Sequence, residues 1–245
     1  MTTHANQLGV NRLGADAPRV GALPAVWSLD TTLDMVGGLR VDEASPVLDA
    51  AELDRAGRFL RPEARHRYVA SHLGLRALLG AYLGLAPADV ALTREECPCC
   101  GGPHGRPALA DGQRQDDGGA PHFSLSHSGD VAYLAFARVP VGVDVEAVPG
   151  ADAVADVVGT LHPAETAELT ALAEPDRPRA LARVWSRKEA CLKAIGTGLA
   201  LGLVEPYVGS ATAPAPFPGW TLADLPAPPG FAAALALRAA DPASA

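Results

Sequence analysis

Asp144 and Glu146 stand two residues apart in Val141-Gly-Val-Asp-Val-Glu146, where valines alternate with the acids. Side chains of a β-strand alternate faces, so both carboxylates project from one side, about 7 Å apart along the backbone. Two acids on one face repel each other unless a cation sits between them, and a hard divalent ion prefers oxygen ligands. Downstream, Trp185-Ser-Arg-Lys-Glu-Ala-Cys-Leu-Lys193 reads as a helix on which Glu189 and Lys193, four residues apart, are neighbours. A third carboxylate with Lys188 and Lys193 would complete a site for a metal-bound polyphosphate. Each part has a plainer reading when taken alone: an exposed strand face, an ordinary surface pair, and for Trp185 a core position.

Other residues add chemistry of the same kind. The chain has 20 basic residues, of which only Lys188 and Lys193 are lysines, and both fall in this one helical motif. Compact ammonium groups in an otherwise arginine-using chain point to a local need for point charges. Arg55, Arg58, Arg61, Arg65, Arg67 and Arg76 crowd one stretch that holds a single acid, Glu63, giving either an anion site or a solvated helix face. In Phe123-Ser-Leu-Ser-His127-Ser-Gly129 an imidazole between two hydroxyls sits at a strand end, either as phosphate donors or as a surface turn. Cys97, Cys99, Cys100 and His104 resemble a zinc ligand set. Their spacing is cramped and no second Cys/His couple exists, so idle or buried thiols are the expected state.

The elements that must position these groups follow from the patterning. Ala25–Leu29 reads as a first strand, Leu48–Leu60 as a helix, and Pro62 as the first residue of a helix running to about Leu83. A short strand is expected at Val90–Thr93. Residues 96–107 and 111–121 read as loops, and Phe123–Ser126 with Val131–Arg138 as a hairpin-like pair. Helices are expected at 151–158, 163–173 and 178–195, the last stopped by Gly196, and strands at 203–208, 220–225 and 231–238. Both halves run helices and then strands, meeting near Pro140. The expected organisation is a flexible leader over residues 1–22, an N-terminal subdomain over 23–140 and a C-terminal subdomain over 141–240.

The totals bound the class. A chain of 245 residues that is 48% hydrophobic and carries a net charge of −8 fits a globular protein and disfavours general nucleic-acid binding. The start of the chain has no continuous apolar run, so no signal peptide, membrane span or membrane association is expected and the default location is cytoplasmic.

Taken in order, Gly105-Arg-Pro107, Phe-Ser-Leu-Ser-His-Ser-Gly129, Gly-Val-Asp-Val-Glu146, Trp-Ser-Arg-Lys-Glu-Ala-Cys-Leu-Lys193 and Gly196-Thr-Gly-Leu199 form a conjunction far more specific than its parts. Over about Leu53 to Leu203 the chain resembles the 4′-phosphopantetheinyl transferase superfamily, in its larger single-chain, Sfp-type class. The resemblance implies an α+β fold: a pseudo-dimer of two similar α/β subdomains with the active site at their junction. It implies Mg²⁺, or Mn²⁺ in its place, held by Asp144, Glu146 and Glu189, and coenzyme A as substrate. Arg55, Arg67, Arg106, Ser126, His127, Lys188 and Lys193 would contact coenzyme A. Arg106 stands where many members carry Lys.

The implied reaction moves the phosphopantetheine arm to a serine of an apo acyl or peptidyl carrier protein and releases 3′,5′-ADP, for polyketide or nonribosomal peptide synthesis. Asp144, Glu189 and Lys193 would be its catalytic residues. Glu189 is the first choice of general base and Glu165 the second. The carrier would dock near loop 111–121 or helix 151–158, and a pseudo-dimer is expected to work as a monomer. Two other readings compete: a metal-dependent phosphoesterase using the same acids, and a non-catalytic module whose Cys-rich loop holds zinc.

Overall fold

The structure, a computed structural model, describes residues 9–113, 120–198 and 202–239. Two sheets organise it. The first contains β1 (Val10–Leu13), β2 (Ala25–Asp30), β7 (His122–Ser128) and β8 (Val131–Ala137) in the order β1-β2-β8-β7, with β1 parallel to β2 and the other neighbours antiparallel. The second contains β9 (Val141–Ala147), β10 (Trp220–Leu225) and β11 (Phe231–Arg238), all antiparallel in the order β10-β11-β9. Two small hairpins, β3 (Met35–Val36) with β4 (Leu39–Arg40) and β5 (Leu92–Arg94) with β6 (Pro107–Leu109), hang from the first half.

Period-two alternation sorts the side chains into layers. On β2 and β8, Trp27, Leu29, Leu134 and Phe136 face helix α2 (Pro62–Leu83), packing with Val69, Leu73 and Leu78. The alternate residues Val26, Tyr133 and Ala135 turn the other way, onto Val141, Val143 and Val145 of β9 and Leu235 of β11. On β11, Ala234 and Ala236 then face α5 (Arg177–Ile195), α3 (Ala151–Val158) and α4 (Pro163–Ala171), packing with Val184, Ala190 and Ala194. The result is helix, sheet, sheet, helix, a mixed α/β arrangement in which burial of both faces drives assembly. Helix α1 (Ala50–Gly57) starts with a capping box between Asp49 and Glu52 and packs beside α2. No described helix is long and apolar enough to cross a membrane.

Two expectations are corrected. Val10–Leu13, read as flexible leader, is the edge strand β1, hydrogen-bonded along β2. Residues 203–208, read as a strand from their apolar content, form no strand; their backbone is tied to side chains instead. The sequence motif at Leu199 and the loop core at 114–119 lie outside the described residues.

Candidate active site at the joint of the two sheets

Strands β7 and β9 run side by side in the same direction, and serine side chains join them. The Ser124 hydroxyl accepts the Val143 N–H (3.1 Å), the Ser126 hydroxyl donates to Asp144 Oδ1 (2.7 Å), and the Ser128 hydroxyl accepts the Ala147 N–H (3.1 Å) while donating to Glu146 Oε2 (3.4 Å). Alternate residues of β7 therefore all point at β9, as strand geometry requires. The two acids of the Gly-Val-Asp-Val-Glu motif stand on this seam.

Helix α5 lies across the face of β9 that carries Gly142, Asp144 and Glu146. Gly142 allows it, since a β-carbon there would stand 2.0 Å from the Ala190 carbonyl oxygen. Trp185, Glu189 and Lys193, at i, i+4 and i+8, are the half-buried stripe of α5, while Ser186, Arg187, Lys188, Ala190, Cys191 and Leu192 are buried. Lys193 Nζ reaches Asp144 Oδ1 at 2.6 Å and the Ser126 hydroxyl at 3.0 Å. Asp144 is 2% exposed, and its second oxygen, Oδ2, is buried with no hydrogen-bond partner. An unsatisfied buried carboxylate oxygen is costly and marks a position awaiting a donor or a cation.

The electrostatics agree with an under-neutralised acid cluster. Burial, then the charge of Asp144, pushes Glu146 up to about 7, with Glu189 adding to the rise. Burial also raises Glu189, against the pull of Lys193. Burial raises Asp144, while Lys193 and Ser126 work the other way. The donor set is all oxygen, as Mg²⁺ prefers. The trio is open: among the described residues, the group of three whose ligand atoms lie within 4.8 Å of one another is Cys97, Cys100 and His104.

The other expected site residues divide. His127 stands exposed on β7, and its imidazole is held below its usual value first by the surrounding protein and then by the charges of His72 and Lys193. Ser126 is buried and serves Asp144 and Lys193 rather than facing solvent. Arg67 on α2 pairs with Asp130 at the β7–β8 turn (2.6 Å), and Arg55 lies over the Phe59 ring, 5.4 Å from its centroid. Arg106 binds Glu95 (2.5 Å) and the Ala194 carbonyl at the last turn of α5 (2.7 Å).

Lys188 is a correction. It is 0% exposed, and its three N–H donors go to Glu165 (2.8 Å) and to the carbonyls of Val204 (3.2 Å) and Pro206 (2.6 Å). Its charge is spent inside the second half on Glu165. Glu165, also 0% exposed, accepts the Val208 N–H (2.8 Å) and is the buried partner of that lysine. Of the early arginine cluster, Arg76 is likewise buried, held by Glu52, Asp49 and the Val90 carbonyl.

Sequence reasoning missed His72, whose Nδ1 lies 2.8 Å from Glu52 Oε1, and the structural hydroxyl of Ser124, while the Ser128 hydroxyl, read as a phosphate donor or part of a surface turn, bonds β9. The alternation Ser124-Leu-Ser126-His-Ser128 was the signal for Ser124.

The profile of the 4′-phosphopantetheinyl transferase superfamily matches residues 140–231, from the start of β9 to the start of β11. Over 192 residues the chain is 33% identical to the 4′-phosphopantetheinyl transferase HetI of Nostoc sp., covering 76% of each chain. The chain belongs to the 4′-phosphopantetheinyl transferase superfamily. This transferase is also 31% identical over 170 residues to a phosphopantetheinyl transferase of Thraustochytrium sp., covering 64% of its own length and 55% of the relative's. It is 26% identical over 151 residues to the 4′-phosphopantetheinyl transferase Sfp of Bacillus subtilis, covering 61% of each. The profile match spans both elements that carry the site acids, β9 and α5.

Proposed function

We propose that this transferase moves the 4′-phosphopantetheine arm of coenzyme A to a serine of apo acyl or peptidyl carrier proteins, releasing 3′,5′-ADP, in secondary-metabolite synthesis. The single observation that carries the assignment of the site is Asp144, buried, tied through Oδ1 to Lys193 and Ser126 and left with Oδ2 unpartnered. Its setting between two raised glutamates fits an oxygen-liganded divalent cation. Asp144, Glu146 and Glu189 would hold Mg²⁺. When bound, the ion polarises diphosphate oxygens and offsets their charge.

The chain's own residues account for the rest. Lys193 orients Asp144 and brings positive charge to the diphosphate. His127, Arg67, Arg55 and Arg106 would supply the remaining contacts for phosphate and adenosine groups, while Lys188, buried against Glu165, would hold the fold. The carrier serine Oγ attacks the β-phosphorus, the bond from that phosphorus to 3′,5′-ADP breaks, and the serine proton passes to Glu189. Burial raises Glu189 toward the operating pH, which suits a general base.

We read residues 23–140 and 141–240 as the two subdomains of a pseudo-dimer, supported by one sheet and one long covering helix in each half and by a site on their shared seam. The first sheet also takes in β1. A cleft of about 230 Å³ opens beside Glu146, lined by Pro149, Ala153, Val157, Leu181 and Trp185. Its apolar wall, contributed partly by α3, supports docking of the carrier on this side.

Intact-protein mass spectrometry of an apo carrier incubated with the transferase, coenzyme A and Mg²⁺ tests the reading. A carrier heavier by one phosphopantetheine arm, absent with EDTA and with Asp144→Ala, is expected. An unmodified carrier across acyl and peptidyl types would sink it, and coenzyme A hydrolysis without an acceptor would support the phosphoesterase reading instead.

A further inference from the structure

The loop between β5 and β6 folds with almost no apolar material of its own. Of residues 96–104, only Cys97 is buried. The loop nevertheless makes a tight, ordered turn. The Cys97 N–H donates to the Gly102 carbonyl (2.8 Å), the Gly101 N–H donates to the Cys97 carbonyl (2.8 Å), and Gly101 takes φ +70°, the left-handed region that favours glycine. The backbone N–H groups of Cys99 and Cys100 point at the Cys97 sulfur. The His104 N–H donates to the Gly102 carbonyl (2.9 Å), which carries the ring back over the turn until Nε2 lies 3.0 Å from Cys100 Sγ. The ligand atoms of Cys97, Cys100 and His104 all lie within 4.8 Å of one another.

We infer that Cys97, Cys100 and His104 form a zinc site that cross-links this loop, with water from solvent as the fourth ligand. Sulfur and imidazole donors favour Zn²⁺ over the hard cation expected at the acid cluster. Tetrahedral zinc with Zn–S bonds of about 2.3 Å separates two sulfurs by about 3.8 Å, within the spread of the present trio. Cramped spacing argued against zinc only if ligands had to come as two separated couples. Here one Cys-x-x-Cys turn and a histidine four residues on supply three ligands from a single knuckle. Binding releases the thiol protons of Cys97 and Cys100, and the ion takes the place of the missing apolar core by cross-linking the loop. The site also has something to hold in place. Arg106 follows this loop directly, and its guanidinium bridges Glu95 to the Ala194 carbonyl of α5, so a fixed knuckle fixes that bridge.

The test is elemental analysis of the full chain, purified from zinc-supplemented medium and desalted. About one zinc per chain is expected, lost from Cys97→Ser, Cys100→Ser and His104→Ala and retained by Cys99→Ser. Replacement by Co²⁺ is expected to give a thiolate-to-metal charge-transfer absorption that Cys97→Ser lacks. A wild-type chain that stays zinc-free after reconstitution while its circular dichroism reports a folded protein would overturn the inference. So would retention of zinc by both Cys97→Ser and His104→Ala. Metal content is read without turnover, so this result and that of the carrier assay stand apart.

Discussion

Gly142 lies so close beneath Ala190 that a β-carbon on it would stand 2.0 Å from the Ala190 carbonyl oxygen and 2.5 Å from the Ala194 nitrogen. Both are helix backbone atoms, which cannot rotate away. The absence of a side chain at this position sets the distance between α5 and β9, and through it the 2.6 Å contact of Lys193 with Asp144. Gly142→Ala is therefore expected to lift the helix, costing at least the roughly 1–3 kcal/mol of ordinary overpacking. Urea denaturation measures the loss. Gly150→Ala, where an added β-carbon meets nothing within 4 Å, should leave stability nearly unchanged.

The two lysines of α5 should fail in different ways. Lys188→Met leaves Glu165 buried and unpaired, and breaking such a pair costs about 3–5 kcal/mol. The double change Lys188→Met with Glu165→Leu should recover much of that, because no charge is then left inside. Lys193→Met also strips the buried Asp144 of its cation, so it should lose both stability and carrier modification, and Asp144→Asn added to it should recover stability without recovering modification. No recovery of stability on adding Glu165→Leu to Lys188→Met would contradict the inward pairing of Lys188.

Glu146 makes the metal-free protein sensitive to alkali. Its folded value of about 7 exceeds the ordinary 4.5 of the free side chain, so the folded chain binds more protons than the unfolded one between those limits. Stability then falls as pH rises through that window, and the penalty is complete above about pH 7. In EDTA, the denaturation midpoint should drop between about pH 5 and about pH 8 by more in the wild type than in Glu146→Gln. Added Mg²⁺ should raise the midpoint more at the alkaline end, since the ion needs the deprotonated carboxylate. An identical pH profile for wild type and Glu146→Gln would refute the assignment.

The seam between β7 and β9 offers a third stability probe. Ser124→Ala removes the acceptor of the buried Val143 N–H, a loss of about 1–3 kcal/mol. Amide hydrogen exchange at Val143 should quicken specifically, while amides of β11 keep their protection.

Much of this architecture was legible from the chain. The valine–acid alternation of β9 and the caps and prolines of α2 and α3–α5 place those elements within a residue or two, because period and punctuation are local properties. Strand β1 was not legible: Val-Asn-Arg-Leu is short and polar, and only its pairing with β2 orders it. Residues 203–208 failed for the converse reason, since their apolar side chains pack without a ladder while Lys188 and Glu165 hold their backbone. The inward turn of Lys188 depends on Glu165, a partner on another helix, and no window of sequence contains both. The acids, Lys193 and His127 were singled out by type and spacing, and Ser126, read as facing a phosphate, is joined to Asp144 and Lys193. A turn that reverses the chain brings Cys97, Cys100 and His104 within 4.8 Å of one another, a convergence that the cramped spacing does not display.

Arg187, Lys188 and Glu189 are consecutive, yet they look in three directions. Arg187 turns to Asp224 (2.6 Å), Lys188 to Glu165, and Glu189 onto the stripe it shares with Lys193. Successive helix residues differ by about 100° around the axis, so this division depends on strict phase. Deleting one residue from the first turn of α5 would put Ala190 where Glu189 belongs and aim Glu189 itself at Glu165. A helix of this kind can be relabelled by substitution at single positions, but it has no tolerance for frameshifts in its own length. Homologous variation here should consist of exchanges without insertions.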